Sequence, residues 1–445
     1  MKNKEEFLRE HPYLLEKEVS PSDFPPNFLF GVATSAYQIE GGCKEGGRGP
    51  NIRDAFSHTE GTILDGSNGD VAVDHYHCYK VNVSGIGYDG LGIKVNEEGI
   101  SLYNNIINAL LEKSIEPCIT LYHWDLPLHL QESMGRWLNK EIVKYFASYG
   151  DTCFASFGDR VKNWITINKP LPTAVNGREQ SDTEPYLAAH HQILANATAV
   201  SIYRSKYKDN QGGQVGLVVD CEWAEANSDK IEDKGAAAKH LEFQLGWCFC
   251  PIYYGDYPEV MHKIVGDRLP KFSEEDKELL WNSIDSVGLN HYTSRFINHV
   301  TDSPEESFYH KAQKIERLAE WEEGEPIGEK VLNYIARRYN NPKIYISENG
   351  MDDEDSNAPL HKMLDDKLRV RYFKGFLAAV AQAIKDEADV RGYFTWSLAD
   401  NFEWVQGYTK RFGLNYMDYK NRLARQPESS AFWFMRFLKG GGREE

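Results

Sequence analysis

The chain has 445 residues, of which 50 are lysine or arginine and 67 are aspartate or glutamate, so its formal net charge is −17. This acidic excess repels nucleic acid and anionic membrane surfaces, and it favours a small neutral partner. The length fits one large α/β barrel as well as two or three average domains. Composition therefore argues against polyanion binding and leaves the architecture open.

The N-terminal segment, residues 1–23, is polar and charged and lacks the apolar stretch of a signal peptide. We expect residues 1–23 to be a loosely attached leader, residues 24–438 one folded domain and residues 439–445 a polar tail. The seven cysteines are scattered and odd in number, which favours free thiols and a cytoplasmic protein. No histidine or cysteine pair stands at ligand spacing beside Cys248 and Cys250, so no metal site is expected.

Apolar and amphipathic stretches alternate along the chain as the strands and helices of a parallel α/β protein do. A first strand is predicted at residues 28–38, followed by a glycine-rich loop that runs to Pro50. The remaining strands are predicted at residues 117–122, 161–167, 214–220, 286–292, 343–347 and 390–396. Helices are predicted at residues 96–113, 142–157, 185–208, 329–339 and 368–385.

Residues 81–94 interrupt this alternation. They read VNVSGIGYDGLGIK, which is rich in glycine and weak in apolar pattern where a helix and a strand are needed. An eight-fold barrel requires one more unit than the seven we count, and its place is between Gln38 and Pro117. The predicted fold class is an α/β (β/α)8 TIM barrel without an identifiable second strand. The acidic stretch 301–325 also has no assigned element.

Residues 343–350 read KIYISENG, a buried strand that stops at a turn and places Glu348 where the strand gives way to its loop. Barrels of this kind carry their chemistry at the carboxyl ends of their strands. For an isolated glutamate, an ordinary capped or solvated strand end is the alternative. The residues at the other strand ends decide between these two interpretations.

The other strand ends carry amides, an imidazole, carboxylates and indoles. They are Gln38, His123, Trp124, Asn168, Lys169, Glu222, Trp223, Asn290, Tyr292 and Trp396, with Glu403 and Trp404 on the loop after the last strand. Amides and carboxylates bind hydroxyl groups, and indole rings pack against the C–H face of a pyranose. Each residue has a structural explanation alone, but together they predict a sugar site at one rim.

Six segments carry a family resemblance. They are FGVATSAYQIEG at 30–41, HWDLP at 123–127, WITIN at 164–168, GLNHY at 288–292, ISENG at 346–350 and WSLADNFEW at 396–404. In this order they resemble glycoside hydrolase family 1, most closely its plant β-glucosidase branch, from about residue 24 to about residue 438. The resemblance implies a single (β/α)8 barrel that acts on a small-molecule β-glucoside by a retaining mechanism, without metal or cofactor.

The resemblance also implies a role for each site residue. Glu348 corresponds to the nucleophile, Tyr292 to its hydrogen-bond partner and Trp396 to the platform under the sugar. The glycone hydroxyls would be held by Gln38, His123, Asn168, Glu403 and Trp404. Trp124 and Asn290 complete the predicted substrate-binding set.

The sequence departs from the family at the second carboxyl group, which a retaining glycosidase needs about 5–5.5 Å from the first. The family has Asn-Glu-Pro at the end of its fourth strand, whereas this chain has Asn168-Lys169-Pro170. A nearby ammonium is expected to lower the pKa of Glu348 and to hold it in an ion pair. Lysine, whose ordinary pKa is about 10.4, is poorly matched to protonate a leaving oxygen. Because positioned acid–base catalysis contributes about 10²–10⁴-fold, we expect impaired hydrolysis.

Further departures leave two other functions open. The family's second strand carries an arginine that contacts the nucleophile, and nothing between Lys80 and Lys94 replaces it; Arg53 stands where the family usually has tryptophan. A lost strand would expose two sheet edges. The alternatives are a non-catalytic carbohydrate-binding protein and a truncated or mis-spliced product that folds poorly. A thioglucosidase fits less well, because such relatives carry a neutral amide in place of Lys169.

Overall fold

A computed structural model describes residues 19–78, 95–178, 180–305, 307–318, 328–354 and 358–440. Its centre is a seven-stranded sheet in which every neighbouring pair is parallel. The strands are β1 (Leu29–Ala33), β2 (Cys118–Tyr122), β3 (Asn163–Asn168), β4 (Gln214–Asp220), β5 (Ser286–Asn290), β6 (Ile344–Asn349) and β7 (Val390–Trp396). Their order in space is β2-β3-β4-β5-β6-β7-β1. This sequential parallel order is that of a (β/α)8 barrel.

Helices connect successive strands and cover the outer face of the sheet. The longer ones are Glu97–Glu112, Ile142–Phe157, Glu184–Lys206, Ile231–Leu241, Trp247–Tyr254, Gly328–Arg338, Lys367–Lys385 and Ser429–Leu438. Shorter α-helices are Ala36–Ile39, Ile52–Ser57, His75–Cys78, Leu128–Met134, Pro170–Val175, Lys208–Gln211, Glu259–Val265, Glu274–Leu280, Phe308–Ala312 and Leu360–Met363. The 3₁₀ turns are Pro21–Asp23, Arg136–Leu138, Gly266–Arg268 and Trp404–Gln406, and Glu242–Gly246 is a π-helical turn.

Three small sheets lie outside the barrel. They consist of Trp223–Ala226 with Ser294–His299 and Ile315–Leu318, of Asp353–Glu354 with Lys410–Arg411, and of Asn415–Asp418 with Ala424–Pro427.

The central strands are buried on both faces. Val215 and Leu217 on β4, Leu289 on β5, and Ile344 and Ile346 on β6 are fully buried. A parallel sheet that is covered by helices outside and packed inside the barrel needs such near-continuous apolar strands. The parallel arrangement brings the carboxyl ends of all seven strands to one rim.

The predicted elements agree closely with the structure where periodicity is strong. The helix 142–157 and the strands 214–220 and 390–396 match residue for residue. The predicted extent of the first strand is wrong. Strand β1 ends at Ala33, and Gln38 lies in the helical turn Ala36–Ile39. The hydroxyl of Ser35 donates to Gln38 Oε1 at 2.6 Å, which stabilises this turn.

The structure also differs from the prediction at the N-terminal boundary of the domain and in the acidic stretch 301–325. Val19 is buried in the core, and the Ser20 amide donates to Asp23 Oδ2 at 2.9 Å in a capping box, so residues 19–23 belong to the packed domain. The acidic stretch 301–325 contains the helix Phe308–Ala312 and the strand Ile315–Leu318 in its described part. The second-strand gap predicted at residues 81–94 lies outside the described residues, and in the described part of the chain β1 and β2 are the two ends of the sheet.

Neither a membrane span nor a metal cluster is found in the described ranges. No helix there is long and apolar enough to cross a bilayer. The same ranges hold no group of three or more histidine, cysteine, aspartate or glutamate side chains that could bind a metal ion. As predicted, free thiols are found at Cys43, Cys118, Cys153, Cys221, Cys248 and Cys250.

A buried arginine supports the segment that follows β7. Arg369 Nη1 lies 2.7 Å from Asp366 Oδ2 and 2.6 Å from Glu428 Oε2, and it donates to the Gly413 carbonyl at 2.7 Å. Its Nη2 donates to the Arg411 carbonyl at 3.0 Å. The guanidinium therefore ties the Lys367–Lys385 helix to the chain that returns from the rim.

Substituting Arg369 by methionine is expected to lower the free energy of unfolding by about 3–5 kcal/mol, because two buried carboxyl groups lose their cation. Lys144→Met, which breaks the exposed pair of Lys144 with Glu141, is the matched control and should change it by less than about 0.5 kcal/mol. Denaturant unfolding of both variants measures the difference. Equal midpoints for the two variants would contradict this role of Arg369.

Candidate active site

Glu348 lies at the centre of the rim, near the end of β6, and both of its carboxylate oxygens are bound. Asn168 Nδ2 donates to Oε1 at 3.0 Å, and the Tyr292 hydroxyl donates to Oε2 at 2.6 Å. Lys169 Nζ is 2.7 Å from the same Oε2. Three strands, β3, β5 and β6, thus bring their carboxyl ends to one carboxylate.

The electrostatics of this cluster keep Glu348 ionised. Burial alone would raise the pKa of Glu348, but the charge of Lys169 and the hydrogen bonds from Lys169 and Tyr292 outweigh it, and the pKa is lowered. Burial, together with the neighbouring charge of Glu348, raises the pKa of Tyr292 far above its usual value, so its hydroxyl stays a donor. Glu348 is therefore a carboxylate, as a nucleophile must be.

Lys169 is the residue directly after β3, and its side chain extends to Glu348. Its backbone is left-handed, with φ of 51°, and its amide donates to the Val218 carbonyl of β4 at 3.0 Å. The side chain is 15% exposed, and Nζ lies 5.1 Å from the ring centre of Tyr292 and 5.7 Å from that of Trp124. The ammonium is thus held between two aromatic rings and one carboxylate.

Asn168 is oriented by a chain of hydrogen bonds. Asn290 Nδ2 donates to Asn168 Oδ1 at 2.9 Å, and the Ser347 hydroxyl donates to Asn290 Oδ1 at 2.7 Å. Asn168 Nδ2 also lies 3.1 Å from His123 Nε2. The predicted residues Asn168 and Asn290 therefore meet, but Asn290 acts on Asn168 rather than on Glu348.

The aromatic residues form one wall of the site. His123 lies nearly parallel to Trp396 and to Trp404, with ring centres 5.9 Å and 6.0 Å apart. Trp124 contacts Trp404 at 4.8 Å between ring centres, and its indole donates to the Asn168 carbonyl at 2.9 Å. Burial lowers the pKa of His123 to about 4, so its imidazole is neutral near pH 7. Such a wall suits the apolar face of a sugar.

Glu403 extends from the loop after β7 to the indole of Trp396, whose Nε1 donates to Oε1 at 3.2 Å. Burial raises the pKa of Glu403 to about 8, although this hydrogen bond and the charge of Lys169 act in the opposite direction. Near pH 7 its carboxyl group therefore both donates and accepts hydrogen bonds, which suits a sugar hydroxyl.

The raised pKa of Glu403 predicts a pH-dependent stability. The unfolded chain loses this proton near the ordinary pKa of 4.5, whereas the folded protein keeps it up to about pH 8. Between these values the unfolded state binds fewer protons, so the free energy of unfolding falls as pH rises, by up to about 1.4 kcal/mol per unit. Because Glu40 and Glu428 also have raised pKa values, about 8 and about 9, Glu403→Gln should reduce this slope by the contribution of one proton, while Glu141→Gln, at an exposed carboxylate, should leave it unchanged. Identical slopes in denaturant titrations of the two variants would contradict the assignment.

Gln38 lies close to this loop, and most of its hydrogen-bonding groups are already bound by other residues of the protein. It is fully buried, and its Nε2 donates to Asn401 Oδ1 at 2.8 Å and to the Phe402 carbonyl at 2.9 Å. Its Oε1 accepts from Ser35. Gln38 thus positions the segment that carries Glu403. A ligand can donate a hydrogen bond only to the remaining lone pair of Gln38 Oε1.

Trp223 begins a strand of the small outer sheet and Glu222 directly precedes it, so neither lies against Glu348. Glu222 forms ion pairs with Arg295 and with Arg317, each at 3.3 Å. The indole of Trp223 donates to Glu225 at 2.9 Å. These two strand-end residues of the sequence prediction are therefore not part of the Glu348 cluster.

The sequence interpretation missed Asp220, the last residue of β4. Burial raises the pKa of Asp220 to about 6, while the charge of Lys169 acts to lower it. Its Oδ1 is buried and has no hydrogen-bond partner among the described residues. The sequence did contain a signal for Asp220, because a carboxylate stands at the end of the apolar strand β4, as Glu348 stands near the end of β6.

Arg53 lies next to the aromatic wall. Its guanidinium carbon is 4.7 Å from the ring centre of Trp404 and 5.3 Å from that of Trp124, and its Nε donates to the Trp124 carbonyl at 3.1 Å. Burial lowers the pKa of Arg53. Arg53 therefore supports the two indoles by cation–π contacts.

The fold and the site together define a class of protein. A glycosidase barrel is expected to carry a buried carboxylate at the carboxyl end of a strand, and here Asn168 and Tyr292 bind that carboxylate beside a wall of indoles.

The chain belongs to glycosyl hydrolase family 1, whose sequence model matches residues 20–87 and 84–442. It is 58% identical to β-glucosidase 42 of Arabidopsis thaliana over 94% of each chain, and 56% identical to β-glucosidase 4 of Oryza sativa over 96% of this chain and 98% of that protein. A solved structure of a mutant rice Os3BGlu6 β-glucosidase, in a covalent complex with Glc from GA4GE, is 40% identical with a TM-score of 0.89, covering 96% of this chain and all of that one. These matches confirm the (β/α)8 fold and the β-glucosidase branch.

The comparisons also bear on the interrupted second unit. The two segments matched by the family model meet at residues 84–87, within the stretch that lacks a recognisable strand. The alignment with the Arabidopsis relative spans 463 residues, more than the 445 of this chain, so that relative carries residues that this chain lacks.

Proposed function

We propose that this chain is a β-glucosidase that keeps the nucleophile and the sugar pocket of its family but has lost proton transfer. The observation that carries the proposal is the 2.7 Å contact between Lys169 Nζ and Glu348 Oε2. In this proposal Glu348 attacks the anomeric carbon of a β-glucoside, and His123, Asn168 and Glu403 hold the hydroxyl groups.

The first chemical step depends on the leaving group. Attack by Glu348 breaks the C1–O bond, and an alkoxide that leaves without a proton is a poor leaving group. Because Lys169 is poorly matched to deliver that proton, ordinary alkyl glucosides react slowly. An activated phenolate leaves without help, so glucosyl transfer to Glu348 proceeds.

The second step depends on the nucleophile. Water needs a base to attack the glucosyl–Glu348 ester, and the ammonium of Lys169 cannot accept a proton. An anion such as azide attacks without a base. The glucosyl-enzyme therefore accumulates in water and is released by azide.

The test is the turnover of a dinitrophenyl β-glucoside with and without sodium azide. We expect a burst of phenolate, then a slow steady state that azide accelerates by at least about tenfold, with β-glucosyl azide as the product. Turnover that is fast without azide, or an α-configured product, would contradict the proposal.

The ion pair also favours a second candidate, a non-catalytic glucoside-binding protein, because it occupies the nucleophile. Calorimetry with gluconolactone separates the two functions. Binding without any burst from the aryl glucoside would favour the binding protein. A broad, uncooperative thermal melt would instead favour a chain that does not fold stably.

A further inference from the structure

The last helix, Ser429–Leu438, is apolar on both of its faces. Its inner face packs into the core and includes the buried Phe437. Its outer face carries Phe432, Met435 and Leu438, which are 50%, 47% and 44% exposed. A helix at a protein surface normally turns polar side chains outward, so this outer face has the composition of a surface that binds another segment.

The outer face forms a groove of about 440 Å³, which is lined by Phe432, Met435, Arg436 and Lys439. These side chains recur every three or four residues, so they share one side of the helix. Two of them are apolar and two are basic. The groove therefore favours an occupant that combines apolar and acidic side chains, as amphipathic segments do.

Residues 1–18 lie outside the described residues, and their sequence has this composition. Their apolar and aromatic side chains include Phe7, Leu8, Tyr13, Leu14 and Leu15. They also contain five glutamates against four lysines and arginines. Two of the glutamates directly precede Phe7 and one directly follows Leu15, so acidic side chains flank the apolar ones.

The described residues begin close to the last helix. Val19 is buried in the same core cluster as Phe24 and Phe437, and the ring centres of Phe24 and Phe437 are 6.3 Å apart. Val19 precedes Phe24 by five positions, which span at most about 18 Å. Eighteen residues can extend over about 60 Å, several times the length of about 15 Å of a ten-residue helix. The groove is therefore within reach of residues 1–18.

We propose that residues 1–18 bind the groove on the outer face of the last helix. The apolar side chains of this segment contact Phe432 and Met435, and its glutamates lie beside Arg436 and Lys439. Because the segment is tethered at Val19, its effective concentration at the groove is high, and a weak contact is enough to hold it there. The docking involves no residue of the sugar site, so it goes beyond the proposed function.

Two other occupants fit the groove less well. In a two-fold contact between two copies of the chain the same surface meets itself, so Arg436 and Lys439 would lie close to their counterparts. Each copy also carries a net charge of −17, which opposes association. The C-terminal residues 441–445 read GGREE and contain no apolar side chain that could cover Phe432.

Photochemical cross-linking of the full chain tests the docking. Phe432 is replaced by p-benzoylphenylalanine, and unlabelled and nitrogen-15-labelled preparations are mixed before irradiation. We expect cross-linked peptides that join position 432 to residues 5–15 and carry a single isotope, because both ends belong to one chain. Peptides of mixed isotopes would show that a second copy covers the groove and would overturn the proposal. Cross-links to residues 441–445, or none in cooperatively folded protein, would overturn it as well.

Hydrogen exchange of the full chain gives an independent readout. The backbone amides of residues 5–15 should exchange at least about tenfold more slowly than in the free peptide of the same sequence. Met435→Asp, which places a charge in the groove, and Phe7→Asp, which leaves the helix unchanged, should each remove this protection. Ile231→Asp, at an 80% exposed residue of another helix, is the control and should keep it. Equal protection in all three variants would overturn the proposal.

Discussion

Replacing Lys169 with glutamate is expected to raise kcat/KM for an unactivated alkyl β-glucoside by about 10²–10⁴-fold, the usual contribution of a positioned acid–base group. The change places a carboxyl group directly after β3, beside Glu348 near the end of β6. It also removes the ammonium that lies 2.7 Å from Glu348 Oε2. Two carboxyl groups close together raise the pKa of one of them, which makes it an acid near neutral pH.

The matched control is Lys169→Gln, which removes the charge and supplies no proton. Only the glutamate variant should gain on alkyl glucosides, and only it should show a bell-shaped pH dependence of kcat/KM. Equal gains in both variants would mean that release of Glu348 from the ion pair, rather than restored proton transfer, limits the enzyme. Failure of both would place the defect in the barrel itself.

Glu348→Gln is expected to abolish the azide-accelerated turnover of the aryl glucoside, by at least about 10⁴-fold, because no covalent intermediate can form. The amide keeps the size of the side chain and can still accept from Tyr292 or Asn168. Glu354→Gln, at an exposed carboxylate shortly after β6, is the control and should keep the activity. Azide rescue that survives in Glu348→Gln would assign the nucleophile to another group.

That variant should also reveal what the ion pair contributes to stability. Lys169 is 15% exposed, so its ammonium keeps part of its hydration when Glu348 loses its charge. The loss of one hydrogen bond to a charged group typically lowers the free energy of unfolding by about 1.5–3 kcal/mol. This cost is small enough for Glu348→Gln to be assayed as a folded protein.

The sequence predicted the barrel well because parallel strands and their helices have strong, different periods. β4 and β7 were bounded correctly, since both are apolar runs that end in polar or loop residues. The turn Ala36–Ile39 was not predicted, because it depends on Gln38 donating to Asn401 and Phe402, which lie more than 360 residues further along the chain. Contacts of that separation leave no local pattern.

The candidate site was predicted in composition better than in arrangement. Parallel strands must bring their ends to one rim, so the meeting of Glu348 with Asn168 and Tyr292 follows from topology. Whether an asparagine binds Glu348 or another asparagine depends on side-chain packing. Asn290 donates to Asn168 and not to Glu348. The contribution of Arg369 depends likewise on three segments that converge only in the fold.

Lys169 makes this member of the family useful for separating the roles of the two carboxyl groups in a retaining glycosidase site. The structure has an ionised Glu348, a neutral His123 and a wall of indoles, which the proposed function assigns to sugar binding and covalent attack. The proposed function assigns the lost proton transfer to Lys169. The two halves of the mechanism can therefore be examined separately in one protein.

The most direct test is mass spectrometry of the folded protein after incubation with a dinitrophenyl 2-deoxy-2-fluoro-β-glucoside. The fluorine slows release of the sugar, so a competent nucleophile remains labelled. We predict one fluoroglucosyl group, located by peptide mapping on Glu348 and absent from Glu348→Gln. A protein that melts cooperatively yet carries no label, or carries it on Lys169, would contradict the account.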